Sequence, residues 1–441
     1  MKHKAAFAVI LILVIVPCLA AEEIDLASYL QRVEEHNKSL QIARSDVAQT
    51  EEMKKQALAG LLPNAGLQAA YTRNLNEITQ PMASYATASA IPGVYPITYT
   101  DQVVSFNNEL DLAAAANFPI YDGSAWARYH QASEGVNARK AGYDYQLKAV
   151  ANGAKKLYFQ LLLLNEVVKV KEASEKIAQD NYNDAQAKFK VGLLTELDAL
   201  MAEVAWKGKV PETAEARRNR DIALLGFKRL AGIPAEENVL LTESMETYPD
   251  VPLEVRLADV LSARSDYALL LRQKTLSELA IDAVRANYFP TFSGSFAIAN
   301  QRFGNDWKFG DYDSLAIQLG LKVTLPVYEG GYRSAKLAEE EIGLKKSDLQ
   351  IVQKQEDIQT ELTGVKLRLD EARQRIENAN SVQTVAQRAF DRATVSFKNG
   401  VATQLQLSQA TLSLEGSRLA FLSAIYDYRA AYFDWELAVG R

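Results

Sequence analysis

Few residues in this 441-residue sequence could make or break bonds, and their spacing does not gather them into a site. There are three histidines, His3, His36 and His130, and one cysteine, Cys18. None of them forms a metal-spaced pair. The 55 carboxylates are plentiful, but most fall on solvated helical faces, where no general acid can be matched to a general base. No Gly-x-Ser-x-Gly and no phosphate-cradling glycine loop is present. The sequence reads as that of a non-enzyme, without metal or cofactor. Two spacings do carry polar chemistry. Thr195-x-x-Asp198 follows Gly192, and Thr403-x-x-Gln406 follows Gly400. Either is a capping box, in which the fourth side chain serves its own helix terminus.

Those two spots are turns between long helices. Tyr328 to Lys398 holds no proline, and from Arg333 to Ala389 no aromatic residue interrupts it. Ile358, Leu362, Val365, Leu369, Ala372, Ile376 and Ala379 step by fours and threes, the seam of a coiled coil. Such a helix is on the order of 100 Å long. Gly123 to Lys190 is a second proline-free stretch of similar composition. Each stretch ends at a glycine, Gly192 or Gly400, a usual helix stop. Each is followed by a return helix, the first predicted to kink around Gly208 and Pro211.

The amino end reads as a secretory signal over residues 1–20. Lys2 and Lys4 precede the apolar run Ala5 to Val16, and small residues lead to Ala21. Twelve apolar residues are too few to span a bilayer as a helix. Cleavage after Ala20 would remove Cys18 and leave no disulfide chemistry. The formal net charge is −6 before cleavage, and losing two lysines makes the chain more acidic, which argues against a nucleic-acid partner.

Between the helices the period changes to two. Ala65, Leu67, Ala69 and Tyr71 alternate with polar or small residues, giving a strand at about 64–72. Thr72 to Thr100 reads as a loop rich in Ser, Thr, Asn and Pro. A second strand is expected at 104–118, with Val104, Phe106, Leu110, Leu112, Ala114, Ala116 and Phe118 on one face. Ser105, Asn107, Glu109, Asp111 and Asn117 take the other. Strands at 291–302 and 314–327 follow in the second half. In the last, Leu315, Ile317, Leu319, Leu321, Val323, Leu325 and Val327 alternate for seven steps, enough to cross a membrane when tilted. Ten aromatic residues lie between Tyr288 and Tyr332, as in an interfacial girdle.

The halves repeat one plan. Pro119 matches Pro326, Phe189-Lys190-Val191-Gly192 matches Phe397-Lys398-Asn399-Gly400, Thr195 matches Thr403, and Pro63 matches Pro290. Landmarks in this order mean duplication. The expected domains are a first repeat at 21–232 with a helical hairpin at 123–230, a polar linker at 233–252, and a second repeat at 253–441 with a hairpin at 329–438.

This plan resembles the TolC-like outer-membrane efflux proteins of Gram-negative bacteria. So do Phe118-Pro119-Ile120-Tyr121-Asp122-Gly123, Leu325-Pro326-Val327-Tyr328-Glu329-Gly330-Gly331, and the turns Val191-Gly192-Leu193 and Asn399-Gly400-Val401. The resemblance covers essentially all of the chain after the signal. It implies a mainly α fold with a membrane β-barrel: a homotrimer with one 12-stranded barrel in outer-membrane lipid and a helical barrel in the periplasm. The implied function is a passive exit duct for efflux or type I secretion. Its implied partners are a periplasmic adaptor and an inner-membrane pump or ABC exporter. Val191, Gly192, Leu193, Thr195, Asn399, Gly400, Val401 and Thr403 would meet the adaptor. Asp198, Gln406 and Gln409 would stand at the pore entrance. Family members often carry Asp at the positions of Gln406 and Gln409, so this entrance is expected to be less acidic. Glu109 and Asp111, on the polar strand face, are expected to face a water-filled bore. Two other readings are a periplasmic coiled-coil adaptor or structural protein, which should have one hairpin rather than two, and an enzyme on a helical stalk.

Overall fold

A computed structural model describes residues 22–76, 78–85, 91–93, 96–250, 255–307 and 312–441. The expected signal peptide with Cys18 lies outside them, as do residues 251–252 of the expected linker. In order the elements are β1 (Glu22–Ile24), α1 (Leu26–His36), α2 (Lys38–Ala59), β2 (Asn64–Arg73), β3 (Thr79–Tyr85), β4 (Ile97–Val103) and β5 (Asn108–Tyr121). Then come α3 (Gly123–Lys190), α4 (Glu196–Ala231), β6 (Val239–Leu241), α5 (Leu257–Ala263) and α6 (Ser265–Ala286). The chain closes with β7 (Thr291–Gly304), β8 (Tyr312–Thr324), α7 (Tyr332–Lys398) and α8 (Gln404–Ala438).

The chain forms two compact units. One holds the chain up to Val47 with Lys140–Leu269 and Ile351–Arg441, and the other holds Ala48–Arg139 and Leu270–Gln350. The first is helical. Its core gathers Tyr29, Tyr158, Phe159, Phe227, Ile425 and Tyr428, all fully buried. Tyr29 stacks on Phe227 with ring centroids 3.9 Å apart. The heptad residues Ile358, Val365, Leu369, Ala372 and Ile376 are buried in this core, so the seam read from the sequence is the packed face. A short parallel pair, β1 with β6, closes one side. It falls partly in the stretch read as linker. Three residues per strand are too few for a period to show.

Helix breaks follow local chemistry. Asn37 accepts from the backbone N–H of Ser39 and Leu40, at 3.0 and 3.2 Å, and so starts α2. Arg264 separates α5 from α6 where one helix was expected. Its guanidinium is buried among Asp266, Glu361 and the Ala438 carbonyl. Arg264 stands as far after Asn37 as Pro290 does after Pro63, so the break belongs to the duplicated plan. α4 runs as one helix through Gly208 and Pro211. Asp122 accepts from the N–H groups of Ser124 and Ala125 and caps α3.

The second unit carries an antiparallel sheet in the order β2-β5-β7-β8. Register aligns Ala65, Ala116, Phe296 and Leu319 in one row, and Leu67, Ala114, Ile298 and Ile317 in the next. Ala69, Leu112, Asn300 and Leu315 form a third row on that face. The reverse face carries Gln68, Asp111, Gln301, Ser314 and Gln318. Leu67, Leu319 and Leu321 are 90, 84 and 71% exposed in the single chain. Aromatic pairs flank the sheet: Tyr71 with Trp307 and Phe303 with Tyr312 near one end, Tyr121 with Phe292 near the other.

Two expectations about the first strand pair are corrected. The strand expected at 104–118 begins at Asn108, and Val104 to Asn107 lie outside it. Asn108 is buried, takes hydrogen bonds from Tyr71 and Arg73, and donates to the Gly304 carbonyl, which fixes the start of pairing there. The stretch read as a loop from Thr72 to Thr100 contains a hairpin, β3 with β4, paired from Thr79–Val103 to Tyr85–Ile97. Pro81 sits in β3, opposite Asp101. A two-stranded ribbon tolerates proline because both of its strands are edges. The last strand stops at Thr324, short of the expected 327, just before Pro326.

Candidate functional site: two capped helix tips and a two-faced sheet

The helical unit ends in two matched turns. At the first, Gly192 has φ 76 and donates to the Phe189 carbonyl at 2.9 Å, and Leu193 N–H reaches back to Lys188 O at 2.9 Å. At the second, Gly400 has φ 73, donates to Phe397 O at 3.1 Å, and Val401 N–H reaches Ser396 O at 2.9 Å. Both are left-handed C-terminal caps that satisfy the last helical carbonyls. The return helices start alike. Thr195 accepts from Asp198 N–H while Asp198 accepts from Thr195 N–H, and Thr403 and Gln406 do the same. These turns therefore need Gly and Thr for their own geometry.

The geometry leaves an apolar surface at the tips. Val191, Leu193 and Val401 are exposed at 69, 73 and 81%, with Leu197, Val204 and Leu405 also exposed. Thr195, Asn399 and Thr403 are exposed beside them. Lys188 joins the two turns: its ammonium donates to Phe397 O at 3.1 Å and lies 4.3 Å from the Phe397 ring centroid. A cation at the negative end of α7 is the favourable arrangement. Of the expected entrance residues, Asp198 and Gln406 are engaged in capping, and Gln409 is exposed one turn further along α8.

Behind the tips lies a cluster that sequence reading missed. Lys171 of α3, Lys209 and Glu212 of α4, and Ser174 and Glu415 of α3 and α8 meet, with Lys171–Glu415 at 2.5 Å, Lys209–Glu415 at 2.8 Å and Lys171–Glu212 at 2.7 Å. Ser174 donates to Glu415 at 2.5 Å. Burial alone would raise the Glu415 carboxyl, but hydrogen bonds from Lys171, Lys209 and Ser174 outweigh it and hold it below its ordinary value. Glu212 is lowered in the same way, against its own burial, by the two lysines. Each charge belongs to an unremarkable helical pattern, and only the fold brings them together.

In the sheet, Glu109 and Asp111 lie on the face opposite Leu110 and Leu112, in rows with Thr72 and Ala70. Glu109 accepts from Asn74 at 2.7 Å. Among the described residues the Asp111 Oδ1 atom has no hydrogen-bond partner. No group of three His, Cys, Asp or Glu residues that could hold a metal exists among the described residues. No described helix is long and apolar enough to cross a membrane.

A strand face fit for lipid, a polar reverse and helices about 100 Å long with capped, exposed tips define a class: a membrane channel extended by helical hairpins. The chain belongs to the outer membrane efflux protein family, whose pattern it matches over residues 29–233 and 261–441. It is 22% identical over 359 residues to nodulation protein T of Rhizobium leguminosarum bv. trifolii, covering 78% of this chain and 73% of that one. To outer membrane protein TolC of Escherichia coli (strain K12) it is 19% identical over 432 residues, covering 94 and 82%. Its fold matches the Campylobacter jejuni CmeC outer membrane channel with a TM-score of 0.76 at 16% identity, covering 94% of this chain and 85% of that one. The protein is thus an outer-membrane efflux or secretion channel of a Gram-negative bacterium, extending into the periplasm. Its family is one of transport ducts rather than enzymes, and the channel assignment replaces the adaptor reading.

Proposed function

We propose that three copies assemble into one duct, each giving four strands to a 12-stranded barrel and two hairpins to a periplasmic helical barrel. One observation carries this reading: among the described residues the sheet β2-β5-β7-β8 ends in two free edges, β2 and β8, whose strands run antiparallel to each other. Open edges cannot sit in hydrocarbon. β8 of one copy against β2 of the next continues the antiparallel ladder, so a ring of copies closes without an edge. In that ring the face with Leu67 and Leu319 meets lipid. The face with Gln68, Glu109, Asp111 and Gln318 lines the bore. The domain plan is that of the duplicated sequence, with one repeat at 21–232 and the other at 253–441.

The tips, Val191, Gly192, Leu193 and Thr195 with Asn399, Gly400, Val401 and Thr403, dock a periplasmic adaptor, which joins the duct to an inner-membrane pump or ABC exporter. Exposed apolar side chains on a rigid cap support this role. Asp198 contributes one ring of three carboxylates near the entrance, beside amides from Gln406 and Gln409.

Paired cysteines test the assembly. A cysteine at Gln68 combined with one at Ser314, Ala316 or Gln318 places thiols on the bore face of both edge strands. After oxidation at least one pair should yield covalent trimers in a boiled, non-reducing gel. Chains that stay monomeric in every combination would overturn the ring.

A further inference from the structure

We propose that the cleft between α3, α4 and α8, just behind the tips, is a binding site for a small uncharged aromatic molecule carrying one N–H or O–H donor. The cleft measures about 260 Å³ and is lined by Ala178 and Asn181 of α3, Ala202, Ala205 and Gly208 of α4, and Gln404, Ser408 and Leu412 of α8. Three observations point to a ligand. Gln404 is only 4% exposed, yet its Oε1 has no hydrogen-bond partner. A buried acceptor left unpaired is costly, and a donor arriving from outside the chain relieves it. Gly208 sits inside α4, where glycine weakens a helix, and a Cβ built there would meet nothing within 4 Å. Among the described residues nothing packs against that position, so the cleft is open there. Ala178, Ala202, Val204, Ala205 and Leu412 give the cleft an apolar surface for a ring to cover, beside its polar lining residues.

The charged end of the cleft gives the ligand its neutrality. Lys209 and Glu212 line that end but already bind each other at 3.1 Å, and Lys209 also binds Glu415 at 2.8 Å. Neither charge is left to recruit a counter-ion. Gln404 Oε1 accepts one donor, and Ser408 and Asn181 stand beside it as further polar groups. The volume is sufficient for a bicyclic ring, since a 150 Å³ apolar cavity is enough for benzene. Because the walls come from both hairpins, an occupant ties α8 to α3 and α4.

The test uses the full-length protein in detergent and 5-fluoroindole as the probe, followed by ¹⁹F NMR. Wild type should bind saturably and show a raised melting temperature with ligand. Gly208→Leu fills the cleft and should abolish saturable binding, whereas Gly208→Ala should retain it. Gln404→Leu removes the acceptor and should weaken binding at least tenfold. Far-UV circular dichroism shows whether each variant is folded. Absence of saturable binding to wild type, or binding unchanged by Gly208→Leu, would overturn the site. Loss in Gly208→Leu with full affinity in Gln404→Leu would overturn the donor recognition proposed for it.

Discussion

Replacing Leu319 by arginine probes the lipid face most severely. Leu319 lies in the row Ala65, Ala116, Phe296 and is 84% exposed in the single chain. The apolar run of β8 extends from Leu315 to Val323. At about 3.3 Å per residue it covers roughly 30 Å along the strand, which a tilt of about 40° reduces to roughly 23 Å. That is close to the height of an outer-membrane apolar band, and Leu319 is its central residue. An arginine at the bilayer midplane costs about 2–4 kcal/mol, so Leu319→Arg should destabilise each copy by that amount. The neighbouring residue supplies the control. Gln318 points to the opposite face, and Gln318→Arg should cost less than about 1 kcal/mol because its side chain stays in water. Urea titration of folding into phosphatidylcholine vesicles, read by the shift between folded and unfolded bands on an unboiled gel, gives both numbers. Equal costs for the two variants would refute the assignment of faces, and so would wild-type stability for Leu319→Arg.

Three further predictions concern the helical unit. Gly400→Val meets open space but forces a β-branched residue to φ 73, a strain of about 1–2 kcal/mol confined to the tip. Assembled protein should still reach the outer membrane while export stops, measured by substrate accumulation in cells; intact export would count against tip docking. Glu415→Ala leaves Lys171 and Lys209 sharing Glu212 as their one remaining carboxylate in the cluster and should cost up to about 3 kcal/mol in chemical denaturation. In the wild type, the folded-state carboxyl of Glu415 is held low, so its contribution is complete above the unfolded carboxylate value and is lost as pH falls through the lower folded value. Stability should therefore drop more steeply on acidification in wild type than in Glu415→Gln, and identical pH profiles would show that the cluster does not act. Block of planar-bilayer current by a trivalent cation should be weak and should vanish in Asp198→Ala; strong block surviving that change would place the entrance charge elsewhere.

The features legible in the sequence are those written in long periods. Ile358, Val365, Leu369, Ala372 and Ile376 follow a heptad and are buried, and Leu315 to Val323 alternate within β8. Gly192 and Gly400 end helices in the left-handed conformation their spacing implied. Thr195 and Thr403 cap as their sequence boxes indicated. What stayed hidden depends on short or distant partners. The β3–β4 hairpin carries Pro81 and many hydroxyl side chains, which read as loop. β1 and β6 are three residues each and pair from the start of the first repeat to just beyond its end. Lys171 and Glu415 are far apart in the chain, and nothing local distinguishes either from a solvated helix residue. Arg264 could have been found by extending the duplication to Asn37, a match that shares position but not residue type.

The most direct measurement is the native mass of the protein extracted from outer membranes in mild detergent. The account predicts a single species of three chains, stable until heated. A species of one chain, with its two sheet edges unpaired in the membrane, would contradict it.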